Sequence, residues 1–251
     1  MPFEIWQGLI LIAVGAVSGF LNVMAGGGSL LTVPVMVFMG MPGPVANGTN
    51  RIALLAQNIV AITAFFKRGF SDFKLSLSLA ACTLPGAVIG AFAGTRLDGI
   101  WFNRVLAIIM LGVMAIMFFD KGRKVEREQV ELTTRRLVLG HLAMLGVGFY
   151  GGFIQVGVGF ILMPILHRIL GLDLIRVNAH KVFIIGVYTV VALCIFAARV
   201  QIAWLLGGCL AIGNMAGGWL GAHVSVSRGE TAIKTILNIV LVIFILKLLF
   251  L

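Results

Sequence analysis

Charged residues, and carboxylates above all, are scarce in this sequence. Only 11% of the 251 residues are charged and only 9 are Asp or Glu, whereas a soluble domain carries about 25% charged residues. After Glu4 the next charged residue is Arg51, and none lies between Arg136 and Arg168. Uncharged apolar stretches of this length are typical of membrane spans. The sequence therefore excludes a soluble enzyme and predicts an all-α polytopic protein of the lipid bilayer.

Several other protein classes are excluded by patterns that the sequence lacks. The net charge is +10, but the basic residues lie almost entirely in short segments between apolar blocks. The positive-inside rule explains them there, so no nucleic-acid partner is expected. The three cysteines match no metal or disulfide spacing, and no Walker motif occurs. We therefore expect no cofactor, no metal and no direct use of ATP.

Eight apolar blocks alternate with polar segments along the chain. They cover residues 5–39, 52–66, 75–95, 102–119, 137–166, 182–198, 202–222 and 234–250. The central polar segment holds six Lys or Arg and four Asp or Glu. We therefore predict a first transmembrane repeat over 1–119, a charged cytoplasmic linker over 120–136 and a second transmembrane repeat over 137–251.

The two halves contain three landmarks in the same order. A glycine-rich break at 26–29 leads to Pro34, and a second at 151–159 leads to Pro164, 130 positions later. Residues 46–51 match residues 177–182 at a spacing of 131, with an asparagine second in each segment. Glycines then recur 127 apart, Gly86, Gly90 and Gly94 matching Gly213, Gly217 and Gly221. This order indicates a duplicated membrane fold.

The first and fifth blocks decide how the two repeats are oriented. Each is longer than the roughly 20 residues of one span and is interrupted by glycines, which favours a re-entrant or discontinuous helix pair. If both blocks fold back, one side of the membrane receives 14 Lys or Arg and the other 5; if both cross, the split is 11 to 8. The positive-inside rule favours the first arrangement. It leaves three full spans per half and predicts inverted repeats with both termini on the periplasmic side.

The glycine breaks are the predicted functional site. The break at 26–29 precedes a short apolar run, so its N–H groups lie at a helix N-terminus, whose partial positive charge suits an anion. The break at 157–159 supplies a second such end, and no carboxylate inside a span would repel the anion. The predicted substrate-binding residues are Asn22, Gly26, Gly27, Gly28, Ser29, Thr49, Asn50, Arg51, Gln155, Gly157, Gly159, Asn178, His180 and Lys181.

Alternative roles stay open for several of these residues. The glycines also suit close packing between helices. Arg51 and Lys181 are expected to begin the helices that follow the breaks, where each either adds charge to the site or extends to the lipid headgroups. His180, placed beside Asn178 by the repeat, is the candidate proton carrier.

Three segments resemble the TauE/SafE sulfite exporter family. They are the Asn-x3-Gly-Gly-Gly-Ser break at 22–29, the Ala-Asn-Gly-Thr-Asn segment at 46–50 and the glycine-rich element at 148–160. The resemblance covers nearly the whole chain and implies a bacterial inner-membrane permease that exports sulfite, sulfoacetate or related organosulfur anions. It places the site at 26–29, 49–50 and the second-half glycines. The sequence departs from the family at 178–181, where the family more often has a Gly-Thr-like pair, and at Gln155, where a glycine is frequent.

We therefore predict a secondary transporter of small anions that works by alternating access, with a proton or sodium as a possible coupling ion and a homo-oligomer as a possible assembly. Two alternatives belong to other classes. One is an intramembrane serine protease with Ser29 as nucleophile and His180 or His223 as base. The other is a non-transporting membrane scaffold with a dry core.

Overall fold

The computed structural model describes residues 4–70, 72–119 and 133–224, and the regular structure in these ranges is entirely helical. In the first half the helices are α1 (Ile5–Ala25), α2 (Ser29–Phe38), α3 (Gly43–Phe66), α4 (Phe73–Gly94) and α5 (Gly99–Phe119). In the second half they are α6 (Thr134–Phe153), α7 (Val158–Pro164), α8 (Leu174–Arg199) and α9 (Trp204–Val224). A π-helical turn, Ile165–Ile169, extends α7. Most of the predicted linker and the block at 234–250 lie outside the described residues.

Six helices within the described ranges are long and apolar enough to cross a membrane, namely α1, α3, α4, α6, α8 and α9. Many large apolar side chains on their outer faces are exposed, as expected where a helix contacts lipid; Ile5 is 75% exposed and Ile89 is 61% exposed. The prediction of an all-helical polytopic membrane protein is confirmed.

Both predicted breaks interrupt a helix pair. In the first half α1 ends at Gly26, whose φ of +81° is left-handed, and α2 begins at Ser29. In the second half α6 ends at Phe153, and φ is +61° at Gln155 and +73° at Gly157 before α7 begins. Glycine adopts a left-handed backbone without steric cost, so Gly26 ends α1 abruptly. After α6 the first left-handed residue is Gln155, and Gly157 directly precedes α7.

The start of α3 differs from the prediction. The apolar block was expected to begin at residue 52, but the helix begins at Gly43. Four of the nine residues at 43–51 are polar. Of these, Asn47, Asn50 and Arg51 are each at most 1% exposed because they share one inward face of α3. Hydropathy does not detect a helix whose polar residues point into the protein, so Arg51 lies within α3 and not at its beginning.

Contacts between helices define their directions. Along α1 and α9, Ile12, Ala16 and Phe20 pack in that order against Gly213, Gly217 and Gly221, so these helices run parallel. Along α4 and α6, Gly86, Gly90 and Gly94 pack in that order against Leu145, Phe149 and Phe153, so these too are parallel. Each pair joins the first long helix of one half to the glycine-striped helix of the other.

Helix α3 sets the remaining directions. It is parallel to α9, because Thr49 contacts Ala203 and Gln57 contacts Asn214. It is antiparallel to α8, because Gly48 packs on Phe196 whereas Asn58 packs on Gly186. Helix α8 is parallel to α4, since Ser76 contacts His180 and Gly94 contacts Phe196. Helices α1, α3 and α9 therefore run one way, and α4, α6 and α8 run the other.

These directions bear on two predictions, that the first and fifth apolar blocks fold back and that the two repeats are inverted. Helices α1 and α3 point the same way, so the intervening α2 must run back between them, and α7 must do the same between α6 and α8. Each long helix of the first half is opposite in direction to its counterpart in the second half, which is the arrangement that inverted repeats require. The orientation of the chain in the bilayer stays a prediction.

Hydrogen bonds bring the predicted cytoplasmic segments to one end of the bundle. Arg68 donates to the carbonyl oxygen of Ala222, and Arg136 donates to that of Ile169. The Ser76–His180 contact joins the starts of α4 and α8 at the same end. The described parts of the segments with 14 basic residues therefore share one end, in agreement with the fold-back arrangement.

Candidate substrate site

The two glycine breaks meet inside the protein. Gly26 and Gly159 are so close that a methyl group on Gly26 would lie 2.4 Å from the Cα atom of Gly159. Helix α2 leads away from this crossing in the first half and α7 leads away from it in the second. Residues 26–34 and 154–159 are all buried. The N-terminal ends of two short helices therefore converge in the interior, as the sequence predicts.

Asn50 connects α3 to the start of α2. Its Nδ2 donates to Oγ of Ser29 at 3.1 Å, and its Oδ1 accepts from Oγ1 of Thr32 at 2.7 Å. All three side chains are at most 3% exposed. Because a buried amide needs partners for both its donor and its acceptor, this pair of bonds fixes the first turn of α2 against α3.

Arg51 lies at the second-half break. Its Nη1 donates to the carbonyl oxygen of Gly151 at 3.1 Å and to Oε1 of Gln155 at 2.8 Å. Its Nη2 donates to the carbonyl oxygen of Gly152 at 2.5 Å. The guanidinium also stacks on Phe196 at 4.5 Å. Its Nε has no partner. Arg51 is 0% exposed, so the alternative in which it extends to the headgroups is wrong.

Lys181 lies at the first-half break and is equally buried. Its Nζ donates to the carbonyl oxygen of Val23 at 2.8 Å and to Oδ1 of Asn178 at 2.8 Å. The headgroup alternative is wrong for this residue as well. Each of the two cations therefore caps the C-terminal carbonyls of a broken helix that belongs to the other half, where the helix dipole favours positive charge.

Gln155 organises the polar groups beside Arg51. Its Oε1 accepts from Arg51, and its Nε2 donates to Oγ1 of Thr189 at 3.0 Å. The hydroxyl of Tyr188, which lies against Gly151, has no partner although the side chain is 0% exposed. The second-half break is thus lined by two unpartnered donor groups, Nε of Arg51 and the Tyr188 hydroxyl.

Two predicted site residues lie apart from the breaks. Thr49 accepts from the backbone N–H of Ala203 at 3.1 Å, at the start of α9. His180 lies 2.7 Å from Oγ of Ser76 and lines a cavity of about 310 Å³ between the ends of α3, α4 and α8. Its side chain faces away from that of Lys181 because neighbouring residues on a helix point in different directions.

The protease alternative is not supported by the hydrogen bonds of its components. The Ser29 hydroxyl accepts from Asn50. His180 is bonded to Ser76, and His223 is bonded to the carbonyl oxygen of Trp219. Among the described residues neither histidine is therefore bonded to Ser29, as a nucleophile and its base require.

Several buried polar residues near the breaks are missing from the predicted set, namely Thr32, Gln57, Tyr188, Thr189 and Asn214. A signal for some of them exists in the sequence. Gln57 continues the polar face of α3 at helical spacing, and Tyr188 lies 131 residues after Gln57, the spacing of the repeat. Asn214 has no such signal, because only the packing of α9 along α1 and α3 brings it to the site.

The chain is similar to known proteins that are described as probable membrane transporters. A "probable membrane transporter protein" of Haemophilus influenzae is 27% identical over 226 residues, which are 90% of this chain and 88% of the relative. The ORF9 protein of a Sinorhizobium species, with the same description, is 27% identical over 239 residues, 95% and 91% of the two chains. The similarly described YfcA of Escherichia coli K12 is 25% identical over 244 residues, 96% and 89% of the two chains.

No solved structure matches the chain. The relatives are described as membrane transporters and not as enzymes, which confirms that part of the prediction. The family model described as "Sulfite exporter TauE/SafE" matches residues 11–248. This chain is therefore a membrane transporter that belongs to the TauE/SafE sulfite exporter family.

Proposed function

We propose that the protein exports a small oxyanion, sulfite or an organosulfonate such as sulfoacetate, and holds it where the two glycine breaks meet. The observation that carries this proposal is the guanidinium of Arg51. It is fully buried, its hydrogen-bond acceptors are all neutral, and its Nε has no partner.

The charge of Arg51 is the reason for an anionic substrate. Moving an uncompensated cation into a low-dielectric interior costs several kcal/mol even after relaxation, so such residues mark substrate paths. The four carboxylates among the described residues, Glu4, Asp72, Asp98 and Asp173, lie before or between the helices. Backbone carbonyls satisfy hydrogen bonds but supply no net charge. A transported anion would compensate Arg51 while it is bound.

The backbone supplies the other contacts. The N–H groups of Leu30 and Leu31, in the first turn of α2, donate to the carbonyl oxygens of Gly27 and Gly28. The backbone donors proposed for the anion are therefore the N–H groups of residues 27–29, where the helix dipole favours negative charge. Neutral donors of this kind bind an anion without adding to the charge of Arg51 and Lys181. That balance suits transport, because the site must release its substrate.

Alternating access is proposed to occur between two mixed groups of helices. Helices α1, α3 and α9 pack together in one direction, and α4, α6 and α8 in the other, with α3 and α8 in contact between them. Each group contains helices from both halves of the chain. The bonds from Arg51 to Gly151 and Gly152 cross between the groups, as does the bond from Lys181 to Val23. We propose that they break and re-form as the groups rock.

The finer features of the sequence prediction belong to the same proposal. The name of the family supports a sulfur oxyanion, and the bacterial relatives support the inner membrane. We retain the inverted repeats, the termini on the periplasmic side, a proton or sodium as coupling ion and a homo-oligomer as proposals. The opposed helix directions support the first of these.

The test is efflux of sulfite and of sulfoacetate from proteoliposomes, with Arg51→Met, Arg51→Lys and the exposed-arginine control Arg104→Met. We expect Arg51→Met to lower the rate at least tenfold, about 1.4 kcal/mol of lost stabilisation. Arg51→Lys keeps the charge and should retain part of the activity, and Arg104→Met should match the wild type. Efflux no faster than from protein-free liposomes would contradict the substrate, and full activity in Arg51→Met would contradict the site.

A further inference from the structure

An amide cluster joins α1, α3 and α9. It consists of Asn22, Gln57 and Asn214, which are 5%, 0% and 0% exposed. Oε1 of Gln57 accepts from Nδ2 of Asn22 and from Nδ2 of Asn214, each at 3.3 Å. Its Nε2 has no partner. Because both bonds are made to the amide oxygen, they fix the orientation of the whole Gln57 amide group. Its nitrogen therefore points in a defined direction, and neither of its N–H groups has an acceptor.

The amide cluster adjoins the first-half break. A methyl group on Gly28 would lie 2.7 Å from Cβ of Asn22 and 2.7 Å from Oγ of Ser18. The Ser18 hydroxyl is 0% exposed and also lacks a partner. Asn22, which holds Gln57, therefore also forms part of the wall of the glycine break.

We propose that Gln57 is a further substrate-binding residue, whose Nε2 donates to an oxygen of the bound oxyanion, and that Asn22 and Asn214 are its positioning residues. This inference rests on the proposed function and extends it. An oxyanion presents several acceptor oxygens, and Arg51 at the second-half break contacts only part of it. A neutral amide adds a hydrogen bond without adding charge.

The amide cluster is present on only one side of the repeat. At the repeat spacing of 131, Tyr188 takes the place of Gln57, and at the spacing of 127, Ala87 takes the place of Asn214. The equivalent interface thus lacks the amide pair that would hold a glutamine. The two breaks are therefore unequal. Each contains a buried cation, Lys181 at the first and Arg51 at the second, but only the first also has the amide cluster.

The competing explanation is that Gln57 only contributes to packing. It is tested by the affinity of purified protein for sulfite and sulfoacetate, measured by calorimetry, with thermal unfolding of every variant as the check on folding. Gln57→Leu is expected to weaken oxyanion binding at least tenfold. Gln57→Glu keeps the shape of the side chain but replaces the donor by a charged acceptor, and it should abolish binding. Thr83→Val removes a different fully buried polar group, a hydroxyl in α4; it is the control and should bind like the wild type.

Asn214 is tested by a double-mutant cycle. If Asn214 acts by orienting Gln57, Asn214→Leu should weaken binding severalfold in the wild type and have no further effect in Gln57→Leu. A purely structural role would lower affinity by the same factor in both backgrounds, which would overturn the assignment of Asn214.

The remaining outcomes separate the two proposals. If the wild type binds an oxyanion and the folded Gln57→Leu or Gln57→Glu variant binds it equally well, the inference is wrong and the proposed function stands. If the folded wild type binds neither sulfite nor sulfoacetate, the proposed function is wrong and this inference is wrong with it.

Discussion

At the scale of single residues, the interior cations act on the opposite half of the chain. Arg51 donates to the end of α6, and Lys181 donates to the end of α1. A helix that ends inside a membrane protein leaves carbonyl groups that water does not reach, and each costs several kcal/mol if unsatisfied. The cations satisfy these carbonyls. The same side chains therefore both stabilise the helix ends and supply the positive charge proposed to attract the substrate.

Lys181→Met should lower both stability and transport. The substitution keeps most of the side-chain volume but removes the donor to Val23, and hydrogen bonds to charged groups contribute roughly 1.5–3 kcal/mol. We expect a lower unfolding temperature and at least tenfold slower efflux from proteoliposomes. Lys74 is exposed at the same end of the bundle, so Lys74→Met provides the control. Equal unfolding temperatures for Lys181→Met and the wild type would contradict the capping role.

Asn50→Asp tests whether a negative charge at the first-half break impairs transport of an anion. The variant still accepts from Thr32, but it loses the donor to Ser29 and adds a negative charge beside the start of α2. We expect at least tenfold slower efflux of sulfite or sulfoacetate, because the carboxylate competes with the substrate for the same donors and charge. Gln201→Glu, at an exposed position, adds the same charge elsewhere. Unchanged efflux in Asn50→Asp would remove Asn50 from the site.

At the scale of helices, two parallel crossings hold the bundle together. In each, three glycines allow backbone to touch backbone, and dispersion and tight packing stabilise such contacts in lipid, where the hydrophobic effect contributes little. The glycines of these stripes therefore serve close helix packing. Close packing also occurs at the break at 26–29, because a methyl group on Gly26 would lie 2.4 Å from the Cα atom of Gly159. At that break the close contact occurs together with the polar groups of Asn50 and Ser29.

Gly217→Ala should destabilise the α1–α9 crossing. The added methyl group would lie 1.9 Å from the carbonyl oxygen of Ala16, so the helices must separate, and such overpacking costs about 1–3 kcal/mol. Gly208→Ala is the matched control in the same helix, because nothing lies within 4 Å of its methyl position. Thermal unfolding in detergent should give a lower midpoint for Gly217→Ala only. Equal midpoints would contradict the close crossing.

At the scale of the whole molecule, the two halves interlock. The first long helix of each half packs along the glycine-striped helix of the other, and one apolar core contains residues of both, such as Leu30 and Val156. The predicted boundaries at 119 and 137 describe the duplication in the sequence. The bodies proposed to move are the two mixed groups of helices. Each group combines helices from both halves of the chain, so it does not correspond to either predicted repeat.

Single-cysteine labelling tests the orientation in the bilayer. In a background with Cys82, Cys194 and Cys209 replaced by serine, a membrane-impermeant maleimide should label Gln201→Cys in intact cells. Lys74→Cys should be labelled only after permeabilisation, because the positive-inside rule places its end of the bundle in the cytoplasm. Both positions are exposed. Labelling in the reverse pattern would place the termini in the cytoplasm.

The sequence by itself determined the membrane class, the two breaks and the family. These follow from properties that are local or periodic in the chain: charge-free runs, glycine-rich segments that interrupt helices, and matched landmarks at spacings of 127 to 131. Asn50, Arg51 and Lys181 were predicted for the same reason, since each follows a break at a repeated position.

Only the tertiary structure decided what these side chains contact. The sequence left open whether Arg51 and Lys181 face lipid headgroups or the interior, because a cation on an apolar helix is compatible with both. It placed Thr49 and His180 at the site by their positions in the chain, although each bonds to a helix away from the breaks. It could not associate Asn214 with Gln57, 157 residues earlier, because that contact depends on the parallel packing of α3 and α9.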